Sequence, residues 1–483
     1  MQRTSTSGPL LAAPSIASGH SRKGGAMKTL IANGTVITPE APLEADILFE
    51  NGQVAAIGKK LPVHGAEVVD ARGKLILPGG VDAHTHITLN ADEARGSDVF
   101  FTGTIPAVMG GTTTILDHMA FAPGRSLHDQ YILYRELSEG FAVPDYGFHG
   151  VVQVMDAQTI ADLSFLSAEG CTSVKAYMTY DFRLSDDELL RLLRKTRELG
   201  MLLTVHAEDH ERINALRARF ISEGKGDPVW HPQSRPAECE ASAVSRLLRL
   251  AAKAGDAPVY VVHLSTASGL EAVKKARASG QKNVFAETCT QYLVLNEERY
   301  REPVQGLRYV MSPPLRTAAD VEALWGGIAD GSIQAVATDH CSFTVAQKMR
   351  GLHDFTRCPG GAPGLEERLT VLFSEGVAKG RISVNRFVEV VSATPAELFG
   401  LWPRKGALAP GFDADAVIFD PGMEYILHSS DLHGPGDYSI YEDMSLTGRV
   451  ESVFLRGKQV ACRNEFTAER GCGQYLHRDR DTE

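Results

Sequence analysis

No apolar run in this 483-residue chain is long enough to cross a bilayer, no block of lysine and arginine stands out, and no Cys-x-x-Cys pair occurs. The first absence excludes a helical membrane span. The second argues against a nucleic-acid partner, because 49 basic residues face 60 acidic ones and the net charge is −11. The third leaves seven cysteines (Cys171, Cys239, Cys289, Cys341, Cys358, Cys462 and Cys472) without a zinc-knuckle or disulfide framework. They read as reduced thiols of a cytoplasmic protein. Acidic residues are missing from residues 1–26, where a short apolar patch is broken by Pro14. That stretch is expected to be a disordered leader before Met27, a candidate natural start; an organellar transit peptide is the alternative.

The remaining chain is long enough for a large core and more than one domain. Residues 27–78 carry short β-rich runs, with Asn33-Gly34 and Asn51-Gly52 as hairpin turn signals. The same style returns over residues 404–470 in GFDADAVIFDP and RVESVFLRGKQVA. Neither piece can bury a sheet face alone, so the two are expected to pair into one small β-sandwich domain, followed by a tail at 471–483. Residues 79–403 instead alternate strand and helix. Eight apolar runs occur in order: GGVDAHTH, TTTILDHM, DYGFHGVV, TSVKAYMTY, MLLTVHAED, PVYVVHLS, NVFAETC and QAVATDHC. Helical periodicity fills the intervals, as in LSDDELLRLLRKTRELG, which opens on a Ser185/Glu188 capping box and stops at Gly200. Eight strand–helix units predict an α/β fold built on a (β/α)8 TIM barrel.

Polar residues cluster at one end of these runs. His84 and His86 alternate on one strand face, so both imidazoles point the same way and are able to share a divalent metal. Alone, the pair would equally suit two surface histidines in a loop. However, Lys175, His206, His263 and Asp339 also fall at or near the C-terminal ends of the expected strands, the face on which such barrels build active sites. Together they predict a metal centre. Lys175 sits in a run otherwise fit for burial, where an unpaired ammonium is costly. Two readings stay open for it: a carbamate formed with carbon dioxide, or a stem that packs while its head reaches water. His118 and His149 are expected in core or supporting positions, and His64, His128 and His433 at the surface. Cys341 is expected to be a buried structural thiol.

The stretches GGVDAHTH, FFTGT, GGTTTILDHM, SVKAYMTY, TVHAED, SRPAECEA, VVHLS, ETCTQYL, MSPPLR, VATDHCSF, PGGAPGLEERL and LFGLWPRKGALAPG occur in this order. In them the chain resembles the cyclic amidohydrolases of the dihydropyrimidinase/hydantoinase family, from about Lys28 to past Phe466. The resemblance implies two divalent metals, usually zinc, with manganese or cobalt as alternatives. His84, His86 and Asp339 would hold one, His206 and His263 the other, and a carboxylated Lys175 with a hydroxide would bridge them. That hydroxide would attack a ring carbonyl, with Asp339 moving the proton and Tyr180 stabilising the oxyanion. Backbone groups at Ser312 and Gly360 would hold the imide edge; at Gly360 the family has asparagine, and glycine brings extra freedom.

The implied activity is ring opening of 5-substituted hydantoins such as phenylhydantoin, with D selectivity, or of dihydropyrimidines. Tyr177 and Leu184, with Met119 and Phe121 less directly, would form the side-chain pocket. Allantoinase and dihydroorotase are the rivals within the fold, although HITLNADEA is acidic where dihydroorotase would place an arginine. A metal-free interaction protein of the same lineage is the rival outside enzymes. The family's usual assembly is a homotetramer.

Overall fold

The computed structural model describes residues 28–480 except residues 63, 89–98 and 121–123. The expected leader and Phe121 lie outside the described residues, as does most of HITLNADEA.

The β-rich ends of the chain do pair. Lys28–Ile37 runs antiparallel to Pro42–Glu50, which pairs with Gln53–Gly58. Ala416–Ile426 then joins the N-terminal segment by lying antiparallel to Leu75–Pro78, with Val417 opposite Leu77. The outcome is a nine-stranded sheet drawn from both ends. Its inner face buries Ile31, Val36, Ile47, Phe49 and Ile76 against Ala416, Ile418 and Phe454. Neither segment supplies both sides of that core.

Of the two Asn-Gly signals, Asn51-Gly52 makes the turn between Pro42–Glu50 and Gln53–Gly58, with φ of 54° and 83°. Asn33-Gly34 departs from expectation and lies inside the first strand as a bulge, where the register shifts between Ile31 and Gly34. The reason is tertiary. Asn33 donates its backbone N–H to Asp46 Oδ1 (3.0 Å) and its side-chain amide to Asp70 Oδ1 (2.9 Å). A Cβ at Gly34 would meet the Ile76 side chain at 2.6 Å. Local turn chemistry is thereby overridden by a close approach.

All eight apolar runs form parallel strands: Gly80–Thr85, Thr112–His118, Asp145–Val151, Ser173–Tyr177, Leu202–His206, Val259–Val261, Val284–Cys289 and Ala335–Ala337. The eighth returns to the first through a Thr85–His340 bridge and the Asp339 N–H to His84 carbonyl bond (3.0 Å), which close the barrel. The helix Asp186–Glu198 carries the capping box with both bonds formed, and Gly200 follows at φ 67°. Ala237–Lys253 and Ala267–Ala278 provide two more of the outer helices.

A buried cation joins sheet and barrel. Lys405 Nζ reaches Asp145 Oδ2 (2.6 Å) at the base of the third barrel strand and Asp415 Oδ2 (2.7 Å) and Asp413 Oδ2 (2.9 Å) beside the sheet. Residues 471–480 pack along that base. Leu476 is buried, and Arg478 donates to Ser173 Oγ at 2.9 Å.

Candidate metal centre

The barrel's parallel register brings the expected residues to one end. His84 closes the first strand and His86 follows it; Lys175 lies in the fourth and His206 ends the fifth. His263 and Asp339 each sit two residues beyond the sixth and eighth strands, at φ 39° and 53°. Tyr180 is at φ 74°. Non-glycine residues in this region cost about 1–3 kcal/mol each and persist where the surroundings over-determine them.

The side chains form two touching groups. Asp339 Oδ1 lies 3.1 Å from both His84 Nε2 and His86 Nε2. His263 Nε2 faces His206 Nδ1 at 2.8 Å. Lys175 Nζ lies beside the first group, 3.4 Å from His84 Nε2. Among the described residues it has no carboxylate in ion-pair distance. Burial pulls its amine down to about 8, with Asp339 and Glu287 opposing. Asp339 is the reverse: burial alone would raise it, but His84 and His86 hold its carboxyl well below the usual range.

The outward nitrogens of His84 and His206 are anchored by carboxylates that the sequence reading did not pick out. His84 Nδ1 bonds Glu287, which also accepts from Tyr260 Oη (2.9 Å) and the His263 N–H (3.2 Å). His206 Nε2 bonds Glu208 Oε2 at 2.8 Å, and Arg235 pairs with that carboxylate. A carboxylate on the far nitrogen fixes the tautomer, so the near nitrogen presents its lone pair inward. His206 Nδ1 and His263 Nε2, 2.8 Å apart, therefore share either a proton or a cation. Four imidazoles, a carboxylate and a low-pKa amine gathered in this way fit divalent cations.

Both missed carboxylates left a trace. Glu208 sits two residues after His206, and Glu287 interrupts the apolar strand Val284–Cys289. A charge inside a buried strand needs a partner.

His118 comes closer to the cluster than expected. Its ring stacks on His86 and His149 at 4.7 and 4.5 Å. One nitrogen from each of His84, His86 and His118 falls within a mutual 4.8 Å. His64 and His128 are exposed, whereas His433 is half-buried against Glu366 at 2.8 Å.

A cavity of about 650 Å³ opens over the cluster and is lined by all six candidate ligands. Tyr177, Tyr180, Ser312 and Gly360 also line it, as does Cys341. The Tyr180 hydroxyl meets the Ser312 side chain, and the Arg235 guanidinium stands 5.7 Å from the Tyr180 ring. Tyr177, Tyr180 and Phe182 make an aromatic wall with centroid separations of 5.0 to 5.9 Å. Leu184 is not among the lining residues. Its N–H donates to the Tyr177 carbonyl (3.0 Å) and its side chain turns into the core. Met119 is likewise a core residue.

Comparison with known proteins agrees with this geometry. The Amidohydrolase family model matches residues 75–460. D-phenylhydantoinase of Escherichia coli O9:H4 (strain HS) is 46% identical over 455 residues, covering 94% of this chain and 98% of that protein. Among solved structures, dihydropyrimidinase from Brevibacillus agri NCHU1002 superposes with a TM-score of 0.92 at 41% identity, covering 95% of this chain and all of that one (100%). D-hydantoinase from Bacillus sp. AR9 gives 0.92 at 42% identity, covering 94% and 100%.

Proposed function

The chain belongs to the amidohydrolase family, and on that premise we propose that it opens the ring of 5-substituted hydantoins, with D selectivity, or of dihydropyrimidines. The observation that carries this reading is the convergence of His84, His86, Lys175, His206, His263 and Asp339 beneath one cavity. A metal-free interaction protein would have no use for six such donors gathered beneath one cavity.

In this reading His84, His86 and Asp339 hold one divalent cation and His206 and His263 a second, with zinc expected and manganese or cobalt as alternatives. Lys175, once carboxylated, would help to hold both, its lowered pKa supplying the neutral amine that carbon dioxide requires. When bound, such cations supply Lewis acidity and make water acidic near neutral pH. The chain's own groups do the rest. Asp339 takes a proton from the attacking water and returns it to the ring nitrogen as the C–N bond breaks and the C–O bond stays. The Tyr180 hydroxyl donates to the oxygen on which charge develops. Main-chain groups of Ser312 and Gly360 hold the imide edge, while Tyr177 and Phe182 face the substituent. An apolar aromatic wall favours a phenyl ring over the carboxylate of dihydroorotate.

A homotetramer in the cytoplasm belongs to the same proposal. Among the described residues no disulfide forms, and no helix is long and apolar enough to cross a membrane. Ile132 and Ile160, on neighbouring outer helices, remain exposed and would suit a subunit contact.

The test is ring opening by zinc- and bicarbonate-supplied protein on 5-phenylhydantoin, dihydrouracil, allantoin and dihydroorotate, with chiral analysis of the hydantoin product. Fastest opening of 5-phenylhydantoin to the D-carbamoyl product is expected. A clear preference for allantoin or dihydroorotate moves the substrate, and no opening of any ring by metal-loaded protein refutes the reading.

A further inference from the structure

Lys348 ends the short helix Val345–Lys348 and is fully buried. Among the described residues no carboxylate lies in ion-pair distance of it. Its amine instead donates to three backbone carbonyls: Val310 (2.7 Å), Pro359 (2.8 Å) and Gly361 (2.5 Å). An ammonium has three donors, and all three are used. Bonds from a charged donor are shorter and about twice as strong as neutral ones, and a buried ammonium with no counter-ion needs them.

The positions of the three acceptors give the arrangement its meaning. Val310 stands two residues before Ser312, and Pro359 and Gly361 flank Gly360 on both sides. Gly361 also donates its N–H to the Val310 carbonyl at 3.1 Å, tying the two segments directly. Among the described residues, neither Ser312 nor Gly360 has a backbone partner for its own N–H or carbonyl. Both line the cavity, and a Cβ built on Gly360 would stand 3.7 Å from Ser312 Oγ. These main-chain groups therefore lie at the cavity, while Lys348 holds Val310, Pro359 and Gly361 from behind and the carbonyls of Met311 and Pro313 accept from His231 Nε2 (2.7 Å) and Tyr292 Oη (2.7 Å). The conformational freedom that glycine brings to position 360 is thereby removed.

We propose that Lys348 is a positioning residue of the ring-edge site, tying Val310 to the backbone at 359–361 so that Ser312 and Gly360 present their main-chain groups together to one edge of the substrate. This rests on the reading that those groups hold the imide edge. Lys348 touches neither substrate nor metal ligand and acts through the backbone alone. Burial lowers its amine to about 8. The groups that face it are the Cys341 and Cys358 thiols and the Phe343 ring (5.5 Å), and burial raises the Cys358 thiol. The clamp is therefore strongest below about pH 8, while the amine keeps all three protons.

The experiment compares wild type, Lys348→Met and Lys348→Gln, metal-loaded. In Lys348→Met, KM should rise about ten- to a hundredfold, the scale of a misplaced binding group, with kcat within about threefold and metal content unchanged. Lys348→Gln, which keeps two N–H donors, should fall between and serves if the methionine variant does not fold. The ratio of variant to wild-type KM should shrink above pH 8 as the wild-type amine loses its proton. An unchanged KM, or a loss of kcat or metal in its place, overturns the proposal. Hydrogen exchange separates this from the functional reading. Should the wild type open no ring, faster exchange in the variants confined to segments 310–313 and 359–364 still supports the clamp, and unchanged or chain-wide exchange refutes it.

Discussion

Glu208→Gln tests how much of the metal centre depends on groups that touch no metal. Glu208 is fully buried, and its Oε2 serves His206 Nε2 and Arg235 together. Burial alone would raise its carboxyl; Arg235, then His206, hold it instead at about 2. Relative to the ordinary value of 4.5, that shift corresponds to about 3 kcal/mol. Removing one partner of a buried ion pair costs about 3–5 kcal/mol by a separate route, so the two figures agree. The sign follows from the depressed pKa: this stability is present above pH 4.5 and is lost as pH falls towards 2. Glutamine keeps the shape, loses the charge, and cannot accept from His206 and Arg235 as strongly. Two effects should follow. Metal-free protein should lose about 3 kcal/mol against urea. Metal affinity should fall about 10- to 100-fold, or about 1.4–2.7 kcal/mol, because His206 is no longer held in one tautomer. Chelator competition reads the second effect independently of folding. Adding Arg235→Met removes the orphaned cation and should restore stability without restoring affinity. A metal dissociation constant within twofold of wild type would refute the reasoning.

Tyr180→Phe should lower kcat roughly ten- to a thousandfold, the loss of one donor to a developing oxyanion, as measured by steady-state ring opening; an unchanged kcat removes Tyr180 from the mechanism. Glu367 is buried against Ser439 Oγ (2.7 Å), and burial pushes its carboxyl up to about 7. A raised carboxyl gives stability that is full below pH 4.5 and declines as pH rises through 7. Glu367→Gln should flatten that part of the pH–stability curve in urea titrations, and a curve that keeps its slope contradicts the assignment.

The barrel and the candidate ligands were legible because their signals are local. Each apolar run contains one barrel strand, and a histidine or aspartate within about two residues of that strand's C-terminal end needs no tertiary knowledge to be placed. Asn33-Gly34 misled for the opposite reason: its bulge is dictated by Asp46, Asp70 and Ile76 from other strands. Leu184 misled because an apolar residue after a tyrosine-rich loop looks the same whether it faces a cavity or the core. Glu208 and Glu287 were within reach, each being a charge among buried neighbours. Arg235 and Lys348 were not, since an arginine before a helix and a lysine in TVAQKMRG read as solvated surface. Only the fold shows that one meets Glu208 and the other three carbonyls.

If the cluster holds two cations bridged through Lys175, as proposed, metal content must depend on that lysine. Elemental analysis of protein dialysed with zinc and bicarbonate, beside Lys175→Ala treated identically, tests it most directly. The account predicts two metal ions per chain in the wild type and at most one in the variant, with turnover lost. Two ions retained without Lys175, or a wild type that binds only one, would contradict it.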